Sequence, residues 1–430
     1  VDPEAFRLVR PVDRSDPFLW LSLFAILGAT YLLARVATWF AIYVSLRPVR
    51  KLGPCHWTDK ARASWPARRL GASAFVVVAG PPAVIVARDF TGTELLPRVV
   101  ALYLVVMASL LGVLSSRFSA ERRINPAVAL TARPALGFWG SSLSVSGFNV
   151  LITFLLFGLV AATKGTMTWV VVAVGMIAPG AYYFWGWPRL LRLLRVLKPA
   201  STRLETIVAR ISESSRVSPR LLCVAGLPNA NALVIPAGGL LAVTDAAMSV
   251  LDDDELAAAC AHEFAHLHEP IWARASRFIF VLVYNAWVAL PAAFFAVIRE
   301  LDPDPRIYAF MAGAVALSVI LVSHLFIALS RRMESRADSA GTEAQFTPGT
   351  FARAIEKLYA TNMIPATTGS KRQTHPDLYD RLIDAGAHPD YARPLPPASG
   401  PFLAGLIALV AATAVGAAAL NWLGSALAGP

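Results

Sequence analysis

The chain has only three cysteines in 430 residues, Cys55, Cys223 and Cys260, and no two are spaced as CxxC. A disulfide framework and an all-cysteine zinc site are therefore excluded, since each needs thiols paired at short spacing. Charge is scarce as well. Asp, Glu, Lys and Arg make up 16% of the chain and hydrophobic residues 56%, against roughly 25% charged in an average soluble domain, which rules out an ordinary water-soluble globule and a disordered chain. Acidic residues are the rarer sign, 28 against 39 basic, giving +11. On a soluble protein that excess would suggest a nucleic-acid partner. Here the basic residues collect between apolar runs, so they read as topology signals and no nucleic acid is expected. Internal repeats and low-complexity tracts are absent, and histidines number only seven.

What is abundant is apolar sequence of membrane length. Candidate transmembrane helices cover 18–46, 72–87, 96–114, 148–162, 167–185, 279–298, 309–329 and 402–423, eight in all. The second is the weakest, being short and holding Pro81 and Pro82; a re-entrant segment there would leave seven. The first follows Asp13 and Asp16 and runs on without a small-residue cleavage pattern, so it is expected to be a retained span. Arg47, Arg50, Lys51, Lys60, Arg62, Arg68 and Arg69 follow the first run, and a second basic stretch from Arg189 to Arg220 follows the fifth. The positive-inside rule makes both cytoplasmic and, with eight spans, puts the N-terminus outside and the 117–133 loop inside. The expected division is 1–187, N-terminal transmembrane helices; 188–275, linker and cytoplasmic catalytic insert; 276–330, a transmembrane hairpin; 331–395, a second cytoplasmic segment; and 396–430, a C-terminal transmembrane helix.

Between the fifth and sixth runs the texture changes to short β-like stretches at 221–224, 232–235 and 240–243, broken by Gly226, Pro228, Pro236, Gly238 and Gly239. Asp252 followed by Glu255 is a capping box, and the helix it starts carries His262, Glu263, Phe264, Ala265 and His266. Histidines four apart share one helix face and can grip one tetrahedral zinc. Glu263 lies beside that face, within reach of a zinc-bound water whose proton it can take. His268 and Glu269 extend the helix past the motif, with His268 pointing elsewhere. Cys260 reads as a buried small side chain. A third protein ligand is still needed, and Glu334, just after the seventh run, is the best candidate. Asp338, one turn further on, can accept the Nδ1 proton of a ligand histidine. The plainer reading of that pair is a salt-bridged helix at the membrane edge. His324, inside the seventh run, reads either as lining a wet internal cavity or as making one interhelical hydrogen bond.

These motifs resemble those of the M48 metallopeptidases, the family of the CAAX prenyl proteases and of the membrane protease HtpX. The likeness rests on HEFAH at 262–266, ESRAD at 334–338, PNANA at 228–232 with Gly238 and Gly239, and Thr374, His375 and Pro376 followed by Arg381. It covers about 221–386. PNANA departs from the more familiar PNAFA at Asn231, and HEFAH from HELGH at Phe264 and Ala265.

The resemblance implies a polytopic α-helical membrane protein with a cytoplasmic zincin-like α+β catalytic insert. It implies one Zn2+ per chain, held by His262, His266 and Glu334, with Glu263 as general base and Asp338 orienting a ligand histidine. His375 becomes a candidate for steadying the oxyanion, or is a turn residue capping the next helix. Arg381 is given a supporting role among the carboxylates. Asn231, Ala232, Leu233, Val234 and Ile235 would form a short edge strand able to pair with an extended substrate. The expected activity is that of a zinc metalloendopeptidase acting on membrane proteins or peptides, in contact with the lipid bilayer of a bacterial cell and with its catalytic segment facing the cytoplasm. The alternative is a metal-binding membrane transporter or scaffold without hydrolysis. Neither the oligomeric state nor recognition of a prenyl group follows from the sequence.

Overall fold

The structure is a computed structural model and describes residues 17–89, 95–125, 132–215, 218–276, 278–280, 305–345, 347–369 and 373–427. Helix α1 (Pro17–Ser45) leads through the short α2 (Arg47–Lys51) to α3 (Trp57–Asp89) and α4 (Leu95–Ile124). These pack with α15 (Ser399–Leu427) around a core of small side chains, Ala34, Ala37, Ala41 and Ala74, joined by Leu70, Val78, Val113 and Leu409. Small residues let the backbones approach closely. A methyl group on Gly112 would lie 2.5 Å from the Tyr31 carbonyl oxygen, and one on Gly405 would collide with Ser45 Oγ.

Next come α5 (Ala132–Ser142), α6 (Phe148–Ala162), α7 (Thr166–Ala181) and α8 (Trp187–Leu193), with π-helical turns at Leu143–Gly147 and Tyr182–Gly186. The two turns face each other. Phe148 stacks on Tyr182 at 3.6 Å, and Ser144 accepts hydrogen bonds from Tyr182 Oη and Trp187 Nε1.

Five stretches among the described residues are long and apolar enough to cross a membrane: Leu23–Ser45, Val99–Ile124, Pro134–Val160, Thr166–Leu193 and Ser399–Ala419. The chain is thus a polytopic α-helical membrane protein. Three of the eight expected spans fare differently. The 72–87 run is not among the five; it is the second half of α3, one helix of 33 residues that continues through Pro66, Pro81 and Pro82. Most of 279–298 lies outside the described residues. The 309–329 run lies inside α12 (Pro305–Glu343), whose 39 residues extend well past it. Two expected basic loops are also largely helical. Lys60, Arg62, Arg68 and Arg69 belong to α3, and 117–124 is the end of α4. Arg and Lys are good helix formers, so a basic stretch next to an apolar one continues its helix.

The segment after α8 is built on a four-stranded sheet in the order β1-β2-β4-β3. Its strands are β1 (Leu197–Pro199), β2 (Leu221–Ala225), β3 (Ala232–Ile235) and β4 (Leu240–Thr244). β2 and β4 are parallel, whereas β1 and β3 each run antiparallel to their neighbour. β4 is buried on both faces, and its alternation shows how. Leu241 and Val243 meet Leu204, Ile207 and Val208 of α9 (Thr202–Ser215) and Leu256, Cys260 and Phe264 of α11 (Asp253–Leu267). Leu240 and Ala242 face the other way, onto Leu191 and Val196. β3 ends the sheet. A short helix α10 (Asp245–Val250), capped by Thr244 Oγ1, turns the chain into α11.

Candidate metal centre

The α11 helix begins as its sequence dictates. Asp252 Oδ1 accepts the Glu255 N–H at 2.8 Å, and Glu255 Oε2 accepts the Asp252 N–H at 3.0 Å. Residues Leu256 to Ala261 are all buried, four of them alanines. So thin a helix packs close to its neighbours, and His262 and His266 emerge on the face turned to α12. On that helix Met333 and Ala337 are buried while Glu334 and Asp338, one turn apart, reach the histidines. Gly341 leaves room for Phe351 of α13 (Thr350–Asn362), whose ring stacks on His262 at 5.9 Å.

Three ligand atoms, one each from His262, His266 and Glu334, lie within 4.8 Å of one another, and all three residues are buried. No other group of three His, Cys, Asp or Glu residues converges in this way among the described residues. His262 Nε2 is 3.5 Å from Glu334 Oε2, and His266 Nε2 is 3.6 Å from Glu334 Oε1. These separations exceed an ordinary N–H···O hydrogen bond. They approach the roughly 3.3 Å edge of a tetrahedron built from zinc bonds of about 2.0–2.1 Å. Glu334 Oε2 is buried and makes no well-aligned hydrogen bond, although His375 Nδ1 lies 2.8 Å away, a position a cation would complete. The donor set therefore fits a zinc ion.

Both imidazoles are held from behind. His262 Nδ1 lies 3.0 Å from Asp338 Oδ1, and Arg381 of α14 (Leu378–Asp384) donates to both Asp338 oxygens, at 2.8 and 2.7 Å. That is the two-pronged pairing a guanidinium makes with a carboxylate. His266 Nδ1 lies 2.7 Å from Glu269 Oε1, and Glu269 is buried. His266 Nδ1 is hydrogen-bonded and His262 Nδ1 has the Asp338 carboxylate beside it, short of a well-aligned bond, which leaves each Nε2 facing the metal position.

The charges follow from this packing. Burial opposes charge on His262, but the carboxylates of Asp338 and Glu334 prevail and push its pKa up to about 9. Burial likewise works against ionised Glu334, yet His262 and His375 hold its carboxyl well below the usual range. Asp338 is lowered in the same way, against burial, by His262 and Arg381. Burial, reinforced by Glu263, pushes the Cys260 thiol up to about 12, which removes it as a nucleophile.

Glu263 lines a cavity of about 770 Å³ beside this cluster and makes no hydrogen bond or ion pair with a described residue. His375, half-exposed, borders the same cavity, and its Nδ1 lies 2.8 Å from Glu334 Oε2. Arg381 does bridge to the Asp338 carboxylate and is buried. Of the edge-strand residues, Ala232 to Ile235 form β3 and Asn231 precedes it, with Asn231 and Ala232 on the cavity wall. Among the described residues His324 is exposed on α12 and its Nδ1 lies 2.7 Å from the Ile320 carbonyl of its own helix; most of the neighbouring 279–298 run lies outside the described residues.

Two positioning residues carried no motif of their own. Glu269 stands three residues after His266, just past the end of α11, where the terminating turn brings its carboxylate back against the ring. Asn362, at the end of α13, clamps the PNANA loop: its Oδ1 accepts the Ala230 N–H at 2.8 Å and its Nδ2 donates to the Ala230 carbonyl at 2.6 Å. Only the folded protein brings these two segments together.

Comparison with known proteins agrees with this geometry. Residues 199–387 match the model of peptidase family M48. That segment, a little under half of the chain, carries the family's pattern. It is similar to the "Protease HtpX homolog" of Methanopyrus kandleri, 30% identical over 169 residues, which cover 37% of this chain and 49% of that one. A second protein of that name, from Thermococcus sibiricus, is 26% identical over 148 residues, 33% of this chain and 50% of its own. The chain thus spans about half the length of the curated relatives it matches. The M48 segment runs from the end of β1 past α14 and includes every residue of the cluster.

Proposed function

We propose that the protein is a zinc-dependent membrane endopeptidase that hydrolyses peptide bonds of membrane-associated proteins or peptides. The observation that carries this reading is the convergence of His262 and His266 on α11 with Glu334 on α12 around one point. His262, His266 and Glu334 would hold the metal. When bound, zinc supplies Lewis acidity, polarising the scissile carbonyl and acidifying water.

The protein's own residues do the rest. Glu263, with no other partner among the described residues, takes a proton from water and returns it to the leaving amine. Asp338 and Glu269 keep the two histidines in the tautomer that presents Nε2. His375 sits at the cavity margin, where an N–H can steady the developing oxyanion. β3, at the end of the sheet, offers backbone groups to an extended substrate, and Pro236 stops the ladder. The cavity reaches α3 and the membrane-length helix α4, which favours substrates with an apolar segment. Positive residues around 189–220 favour a cytoplasmic catalytic side.

The test joins metal analysis to cleavage of a detergent-solubilised apolar substrate. Glu263→Gln is expected to keep zinc and lose turnover, whereas Glu334→Ala loses zinc. Unchanged turnover in both variants rejects the reading. Zinc bound without cleavage by the wild type would instead favour a metal-binding scaffold.

A further inference from the structure

We propose that the cavity beside the metal centre contains an anion-receiving subsite centred on Arg117, which takes a carboxylate of the substrate peptide, either an acidic side chain or the peptide's own C-terminus. This rests on the peptidase reading and gives it a substrate class. The cavity is bordered by Glu263 and His375 on one side and by Arg68 of α3 and Arg117 and Phe118 of α4 on the other. One occupant can therefore touch the catalytic group and the arginines together.

The five lining arginines are not equivalent: Arg69 and Arg122 are exposed at the rim, Arg69 lying over the Phe402 ring. Arg381 is committed to Asp338. Arg68 donates to Glu121 at 2.7 Å and to the Asn362 and Met363 carbonyls, so it ties α3 to α4 and α13. Glu121 is in this way engaged by Arg68, although it lies one helical turn from Arg117. Arg117 itself is half-buried and makes no hydrogen bond or close ion pair with a described residue, feeling the Glu121 carboxylate only through space. Its stem lies against Gly71, where a Cβ would come within 3.0 Å of Arg117 Cγ. The missing side chain on α3 lets the arginine pass.

A guanidinium keeps its charge under all ordinary conditions and carries five donors in a planar fork. Leaving it unpaired within an apolar helix bundle is costly, and such residues mark binding sites more often than packing. A carboxylate matches the fork with two parallel hydrogen bonds. A peptide is favoured over a lipid because the same wall includes Asn231 and Ala232 at the start of β3, where a substrate backbone would pair.

The test uses the full zinc-loaded protein in detergent and a quenched-fluorescent apolar peptide. A single Glu, or Gln in the control series, is walked along both sides of the scissile bond, and the C-terminus is either free or amidated. One placement of the carboxylate is expected to raise kcat/KM roughly tenfold over its neutral counterpart, as a charge-assisted pair would. Arg117→Gln should bring that ratio to about one, while Arg117→Lys, keeping the charge and losing the fork, retains part of it. The amidated arm tells a terminal carboxylate from a side-chain one.

A wild-type ratio of about one at every position overturns the proposal, as does a ratio that Arg117→Gln leaves intact. If Arg117→Gln does not fold, the wild-type ratio and its reduction in Arg117→Lys decide. Inhibition by phosphatidylglycerol in mixed micelles, relieved in Arg117→Lys and with no preference for Glu over Gln, would assign the site to a lipid phosphate and overturn it too. Failure of the peptidase reading looks different: the wild type would cleave none of the peptides, and both ideas would fall.

Discussion

Asp338 and Glu269 each stand behind one histidine, Asp338 on a separate helix and Glu269 just past the end of α11. Glu269→Ala is expected to weaken zinc binding roughly tenfold to hundredfold, the usual cost of losing such a partner, measured by competition with a chromogenic chelator. Glu269→Gln, which still offers an acceptor, should lose much less; equal loss in both would mean that packing alone is at stake. His262 adds a pH dependence. With its pKa pushed up to about 9 from 6.5, its contribution to the metal-free protein is fully present below 6.5 and is lost as pH rises through about 9. Zinc binds the neutral ring, so uptake releases a proton and affinity weakens as pH falls below about 9. Melting temperatures of chelated and zinc-loaded protein should therefore move apart as pH rises from about 6 to about 10; parallel curves would contradict the pairing with Asp338 and Glu334. HExxH and ExxxD were readable in the sequence because their function depends on helical spacing alone. Glu269 was not, since a glutamate at a helix end has many ordinary uses.

At the scale of elements, the site depends on how α11, α12 and α13 fit together. Gly341 is where α12 and α13 touch: a methyl group there would lie 2.6 Å from the Phe351 ring. Gly341→Ala is expected to push that ring off His262 and to destabilise the fold by about 1–3 kcal/mol, read by thermal denaturation with and without zinc. Asn362 holds the PNANA loop from a distance of more than a hundred residues in sequence. Asn362→Ala strips both Ala230 backbone groups of their partners, at about 1–3 kcal/mol for each group left buried. Its effect should fall on KM for peptide substrates while zinc content stays at the wild-type level; loss of zinc would show that the clamp supports the metal centre instead. Strands β2, β3 and β4 were legible as short β-branched or aliphatic runs between Gly and Pro. β1 was not, because Leu197–Pro199 is three residues long and follows a basic helix. The clamp and the Phe351 stack are tertiary contacts with no local signature.

Across the whole molecule, hydropathy identified where apolar helices lie but not where they stop. α12 carries an apolar run and then continues as a polar helix to Glu334 and Asp338, so one rigid rod links a membrane-length segment to the metal centre. α3 likewise joins a basic half to an apolar half. The charge pattern favours the proposed cytoplasmic catalytic side; in a Cys55→Ser background, which removes the exposed native thiol, cysteines introduced at Lys198 and Glu213 are expected to react with a membrane-impermeant maleimide only when the cytoplasmic side is opened, and labelling from the outside would invert the topology. The central claim is that α11 and α12, separated in sequence by residues 268–304, share one metal ion. Anomalous scattering at the zinc edge from crystals of zinc-loaded protein tests it most directly. The account predicts a single peak within about 2.0–2.2 Å of His262 Nε2, His266 Nε2 and a Glu334 oxygen. A zinc held by the two histidines with the Glu334 carboxylate beyond bonding reach would contradict it.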